Sequence, residues 1–219
     1  MELKPRMTES LSTVFVVDDD TSVRKSLVRL LKSAGYGTES FASADEFLER
    51  WNRNPVPGCV LLDILMPGSD GLQLQQQLQT SADGLPIIFI TGHGDIPSSV
   101  KAMKAGAVDF FPKPFDDEAL LEAVREAIQR DRQVRIERAE RSAMTRRFET
   151  LTPREREVMA LVVRGMLNKQ IAAVLGASEK TIKIHRSRVM EKMKIASVAD
   201  LVRAAEKIVI RPNSTPQSA

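Results

Sequence analysis

Five side chains in the N-terminal half have types and spacing that suit joint chemistry: the carboxylates of Asp18, Asp19 and Asp63, the hydroxyl of Thr91 and the ammonium of Lys113. Each lies just past a short apolar run. Asp18 and Asp19 follow TVFVV (13–17), Asp63 follows CVLL (59–62), Thr91 follows PIIFI (86–90), and Lys113 comes shortly after VDFF (108–111). If these runs are parallel strands, their C-terminal ends share one edge, and the five groups meet in a shallow pocket. Three carboxylates there repel each other unless a cation is present, and oxygen donors with room for waters suit Mg²⁺. A carboxylate beside such an ion is a nucleophile toward a phosphoryl donor. The cation, the hydroxyl and the ammonium would offset charge on the phosphoryl oxygens during in-line transfer. Singly, each residue has an ordinary explanation: Asp18–Asp20 as a turn or helix cap, Asp63 as an N-cap, Thr91 as a loop residue, Lys113 as a surface charge. Their joint placement at strand ends overrides those explanations.

The elements that must position them follow from patterning. The four apolar runs are short, rich in Val, Ile and Phe, and bounded by turn residues, as expected of buried parallel strands. A weaker strand candidate lies at Gly35–Phe41. Between the runs, apolar residues recur at helical spacing: Val23, Leu27, Leu30 and Leu31; Phe47, Leu48 and Trp51; Leu72, Leu74 and Leu78; Val100, Met103 and Ala107; Leu120, Val124 and Ile128. About five strands alternating with five helices predict a doubly wound, five-stranded parallel α/β sheet of the flavodoxin-like kind.

The segments VVDDD (16–20), LDILMPGSDG (62–71), TGHGD (91–95) and FFPKPF (110–115) resemble the receiver domain of bacterial response regulators. The resemblance implies Asp63 as the phosphoacceptor, supplied by the phosphohistidine of a sensor histidine kinase. It implies Mg²⁺ held by Asp18, Asp19, Asp63 and the backbone carbonyl of Leu65. Thr91 and Lys113 would contact the phosphoryl group, Phe110 would be the switch aromatic coupled to Thr91, and Lys113-Pro114 would be a cis peptide. Leu65 stands where many receivers carry a polar side chain, and an apolar residue there cannot orient an attacking water. Slow self-dephosphorylation is therefore expected, and no other enzymatic activity. His93 is expected to be a solvated loop residue.

The C-terminal half reads as all helical. Thr152-Pro153-Arg154-Glu155 is a capping box with Pro at the first helical position, opening a helix that stops at Gly165. Asn168 is expected to cap a short helix with Ile171, Val174 and Leu175 facing inward and Gly176 at its end. Ser178 caps a third helix to about Met193, and Ser197–Asp200 opens a last one to about Val209. This half resembles the four-helix helix-turn-helix domain of the LuxR, NarL and FixJ regulators, through Leu151-Thr152, Glu155, Glu157, Asn168–Ala172 and Thr181–His185. The order of the two halves, with TGHGDIP and FPKPF, resembles the FixJ-like subgroup. On the third helix, Ile182, Val189 and Met193 keep one face for the core. The resemblance assigns base-side DNA contacts to Lys183, Ile184, Ser187 and Arg188, and phosphate contacts to Lys169, Lys180 and Arg186. His185 is expected to pack at the helix edge.

Charge divides the chain in the same way. Residues 1–130 carry a net −6, 131–150 a net +2 and 151–219 a net +7, so the back half suits a polyanion. The stretch 131–150 is rich in Arg and Glu without Pro or Gly, which predicts a charged helical linker. The expected organisation is a disordered 1–11, a receiver at 12–130, the linker at 131–150, the DNA-binding domain at 151–210 and a disordered 211–219. No apolar run reaches the roughly 18 residues of a membrane span, the N-terminus has no signal-peptide core, and the single Cys59 sits in an apolar run as a buried thiol. A cytoplasmic protein fits these features.

The expected function is a two-component response regulator, phosphorylated on Asp63, that dimerises and binds double-stranded promoter DNA. Activation through RNA polymerase is the default expectation. The dimer would form on helices near 100–107 and 116–128, reshaped as Thr91 and Phe110 move inward. A phosphatase would need a second acid at position 65, and a small-molecule-gated regulator would need an apolar cavity where this chain has an acidic pocket. Control by protein contacts without phosphorylation is the remaining alternative.

Overall fold

The computed structural model describes residues 12–66, 69–80, 84–92 and 96–209. The termini expected to be disordered and His93 lie outside the described residues. Five parallel strands form one sheet. They are β1 (Thr13–Val17), β2 (Gly37–Phe41), β3 (Gly58–Leu62), β6 (Ile87–Thr91) and β7 (Asp109–Pro112), in the order β2-β1-β3-β6-β7. A two-residue antiparallel hairpin, β4 (Leu65–Met66) with β5 (Ser69–Asp70), interrupts the path after β3 and was not anticipated from the sequence.

The central strands are buried on both faces, which explains their unbroken apolar runs. Side chains alternate between two cores. Phe15, Val17, Val60 and Leu62 pack with Phe47 and Trp51 of α2 (Ala44–Arg53), Leu74 and Leu78 of α3 (Gly71–Thr80) and Ala102 of α4 (Ile96–Lys104). Val14, Val16, Cys59 and Leu61 pack with Leu27 and Leu31 of α1 (Thr21–Ser33) and with Leu120, Val124 and Ile128 of α5 (Asp117–Glu149). The weak strand candidate is the half-exposed edge strand β2. Val100 and Met103 face outward on α4, each 44% exposed, while Ala107 lies past the helix end and is buried.

Residues 131–149 are helical and continue α5 without a break. The chain forms two compact units that divide between Arg135 and Ile136, beyond the receiver limit expected at 130. In the second unit, α6 (Pro153–Val163), α7 (Asn168–Leu175), α8 (Glu179–Met193) and α9 (Val198–Val209) enclose a core of Leu151, Val158, Met159, Val162, Ile171, Ile182, Val189, Met193 and Leu201. Met144 and Phe148 near the end of α5 pack on this core.

The Thr152–Glu155 capping box forms as expected. Glu155 is also buried against Lys192, whose Nζ donates to Oε2 at 2.6 Å. Two expectations for α7 need correction. Val174 is 60% exposed. Ile171, Ala172 and Leu175 define the inward stripe, and at 3.6 residues per turn Val174 lies about 100° from its centre. Asn168 is the first helical residue and not the cap. Its Oδ1 instead accepts from Arg186 Nη1 at 3.0 Å, and the Leu167 amide donates to Gln170 Oε1 at 2.8 Å.

Candidate functional site

Strand register creates the acidic pocket. Val17 of β1 pairs beside Leu62 of β3, so Asp18 and Asp63 leave adjacent strand ends side by side. The Asp63 amide donates to the Val17 carbonyl at 2.9 Å, which fixes this relation. At the other side, Thr91 pairs beside Pro112, and the Lys113 amide donates to the Thr91 carbonyl at 2.7 Å. Because β1 lies between β2 and β3, the pocket opens where the strand order reverses, the usual ligand position of such sheets.

Each loop has its own local logic. Asp20 caps α1, its Oδ1 accepting from the Ser22 and Val23 amides at 2.7 and 3.3 Å. The third carboxylate of the DDD run is thus structural, and it directs the other two to the pocket. Asp18 Oδ1 accepts from the Asp20 amide at 2.8 Å, and Arg24 Nη1 donates to the Asp18 carbonyl at 2.6 Å. Asp63 Oδ1 accepts from the Leu65 amide at 3.1 Å, while the Leu65 side chain is 59% exposed. Gly71 is required on steric grounds: a Cβ there would sit 2.4 Å from the Asp63 carbonyl oxygen. Arg24 and Gly71 were not singled out from the sequence. Arg24 shares a helix with three other cations, and Gly71 reads as an ordinary turn residue.

Carboxylate oxygens of Asp18, Asp19 and Asp63 all lie within 4.8 Å of one another, with Asp18 and Asp63 buried and Asp19 exposed. Lys113 Nζ donates to Asp18 Oδ2 at 2.6 Å and to Asp63 Oδ2 at 2.8 Å. Burial opposes the Lys113 charge, but its bonds to the two carboxylates prevail and hold the ammonium above its ordinary range. The same contact is not enough for Asp18. Burial, aided by the Asp63 charge, holds its carboxyl above the usual range despite the bonds from Lys113 and the Asp20 amide. The difference follows from depth, since Asp18 is almost wholly enclosed and Lys113 reaches toward solvent. The donor set is entirely hard oxygen, closely spaced and open on one side, and it fits a Mg²⁺ ion that keeps several waters.

Thr91 is fully buried at the end of β6. Phe110 is half-buried, paired beside Phe89 and packed on the adjoining core. The Lys113-Pro114 peptide is cis. In the helical unit, α7 and α8 form the helix-turn-helix pair. Lys169, Lys180, Lys183, Ile184, Ser187 and Arg188 are exposed, Ile184 by 46%. Arg186 is half-buried and already bonded to Asn168, and His185 is half-buried at the helix edge.

Residues 14–125 match the family model for the response regulator receiver domain, and residues 149–205 match that for bacterial regulatory proteins of the luxR family. This chain is a response regulator. Among curated relatives of this response regulator, nodulation protein W of Bradyrhizobium diazoefficiens is 49% identical over 94% of this chain and 90% of its own length. The transcriptional regulatory protein FixJ of Azorhizobium caulinodans is 42% identical over 96% of this chain and its own full length. Among solved structures, the response regulator StyR matches with a TM-score of 0.81 and 48% identity, covering 90% of this chain and 100% of that one. The regulator thus pairs a receiver with a LuxR-type DNA-binding domain. Among the described residues, no helix is long and apolar enough to cross a membrane.

Proposed function

We propose that Asp63 is the phosphoacceptor and that its modification controls DNA binding by α8. An Asp63 carboxylate oxygen attacks the phosphorus of a kinase phosphohistidine. The P–N bond breaks, its electron pair returns to the imidazole nitrogen, and an acyl phosphate forms. Asp18, Asp19, Asp63 and the Leu65 carbonyl are the groups that would hold Mg²⁺, which supplies positive charge against the carboxylates and the phosphoryl oxygens. Lys113 transfers its bond from Asp63 to a phosphoryl oxygen, and Thr91 reaches another. Phe110, half-buried beside this edge, follows Thr91 inward. The outward-facing Val100 and Met103 of α4 suit a surface that becomes a homodimer contact, bringing two α8 helices to paired half-sites. Lys183, Ile184, Ser187 and Arg188 face base edges; Lys169, Lys180 and Arg186 face phosphates, Arg186 only if it leaves Asn168. Activation through RNA polymerase in the cytoplasm completes the reading, and self-dephosphorylation is slow because Leu65 offers no polar group.

The observation that carries this reading is the meeting of three carboxylates with the Lys113 ammonium at one sheet edge. The test is incubation with acetyl phosphate and Mg²⁺, followed by mass measurement and DNA binding. Wild type is expected to gain a phosphoryl adduct and tighter DNA binding, and Asp63→Asn to gain neither. Wild type without adduct, and with unchanged affinity, would sink the reading in favour of control by protein contacts.

A further inference from the structure

Asp131 is a buried carboxylate far from the acidic pocket, in a stretch whose sequence reads as a solvated charge run. It is the one buried residue of α5 after Ile128. Its Oδ2 accepts from the Gly58 amide at 2.9 Å, across 73 positions of sequence. One turn on, Arg135 Nε donates to both Asp131 oxygens at 3.0 and 2.8 Å, and Arg135 Nη2 reaches the Val56 carbonyl at 3.3 Å. Gly58 begins β3, the strand that ends at Asp63, and it has no room for a side chain: a Cβ would lie 1.8 Å from the Thr13 carbonyl oxygen. The start of β3 is therefore tightly enclosed, and Asp131 satisfies the buried Gly58 amide.

We propose that Asp131 and Arg135 form a clamp that carries the state of the Asp63 site into the helix leading to the second compact unit. Both ends of β3 are then engaged, with Asp63 at one and the clamp at the other. A shift of this strand acts directly on α5. The apolar hold of the sheet on α5 ends at Ile128, and the next packed apolar residue is Met144. Val134 and Ile136 between them are exposed. The clamp ties the helix to the start of β3 about 10 Å beyond Ile128. It also braces a charged stretch that is too short to be a stable helix by itself. The two units divide immediately after Arg135, where the clamp ends.

This proposal rests on the phosphoacceptor reading above, and the test separates the two. Full-length wild type, Asp131→Ala and Arg135→Met are compared, with a duplex selected from a random pool by the acetyl-phosphate-treated wild type. Mass reports the Asp63 adduct, and titration reports the affinity ratio with and without treatment. Wild type should show a ratio of about tenfold, within the usual range of coupling. Both variants should acquire the adduct at the wild-type rate while the ratio falls to about one. Arg135→Lys should restore part of it. Hydrogen exchange across residues 132–143 should speed up by about tenfold in both variants, whether or not the adduct is present. If Asp131→Ala fails to fold, Arg135→Met, which leaves the Gly58 bond in place, decides the matter. A wild-type ratio retained in Arg135→Met, or unchanged exchange over 132–143, overturns the clamp. A wild type that gains the adduct without any change in affinity also overturns it, since nothing is then transmitted. Absence of the adduct in wild type counts against the phosphoacceptor reading instead, and the exchange measurement still decides whether the clamp holds.

Discussion

Replacing Lys113 by Met removes the positive charge that holds two of the three pocket carboxylates and keeps most of the side-chain volume. Two charge-assisted hydrogen bonds disappear, at 2.6 and 2.8 Å, each contributing roughly 1.5–3 kcal/mol net. The remaining carboxylates repel: unit charges no more than 4.8 Å apart interact by about 3.5 kcal/mol or more at an effective dielectric constant near 20. Water entering the vacated space screens part of this, so a loss of about 3 kcal/mol is expected at pH 7.5 without divalent cation. For a unit of this size that lowers the melting temperature by on the order of 10 °C.

The deficit depends on pH with a definite sign. The Asp18 carboxyl is held above its ordinary range in the folded state, so the native fold binds that proton more tightly than the unfolded chain. Acidification toward the folded-state value neutralises one of the repelling charges, and the penalty of the substitution shrinks; it returns as pH rises through that value. Lys113 itself is shifted above 10.5 and stays charged in wild type throughout this window. Mg²⁺ should recover more stability in the variant than in wild type, because the ion no longer competes with the ammonium for Asp18 and Asp63. Thermal melts at pH 5.5 and 7.5, with and without Mg²⁺, provide the readout. Equal melting temperatures for variant and wild type at pH 7.5 in the absence of Mg²⁺ would refute the reasoning.

Other predictions are more direct. Leu65→Gln places a polar group beside the acyl phosphate and should hasten its hydrolysis by about tenfold or more, followed as the decay of phosphoprotein after donor removal; an unchanged lifetime would show that position 65 does not set it. Lys180→Ala should weaken binding to all DNA sequences alike and reduce the slope of log affinity against log salt by about 0.9, and an unaltered slope would remove Lys180 from the phosphate contacts. Gly71→Ala forces a methyl group against the Asp63 carbonyl oxygen; a loss of roughly 1–3 kcal/mol in denaturant unfolding is expected, with slower modification of Asp63, and wild-type stability would contradict the close approach.

Sequence alone determined the layers and the chemistry of the site. Continuous apolar runs suffice to declare strands buried on both faces, and residues just past such runs must share the carboxyl edge of a parallel sheet, so Asp18, Asp63, Thr91 and Lys113 could be grouped without coordinates. Helix ends in the second unit were legible because capping is local: Thr152 with Glu155, Ser178 and Gly176 each act within a few residues. Tertiary structure decided what depends on long-range register. It assigned Asp20 to the cap of α1 rather than to the pocket, and it engaged Arg186 with Asn168. It turned Val174 to solvent, a question of roughly 100° on a short helix that apolar character cannot settle. It also showed that Asp131, one carboxylate among many in a charged run, is buried against the start of β3. That contact spans 73 positions, and nothing in the composition of residues 131–150 distinguishes a carboxylate that meets a backbone amide from one that meets water.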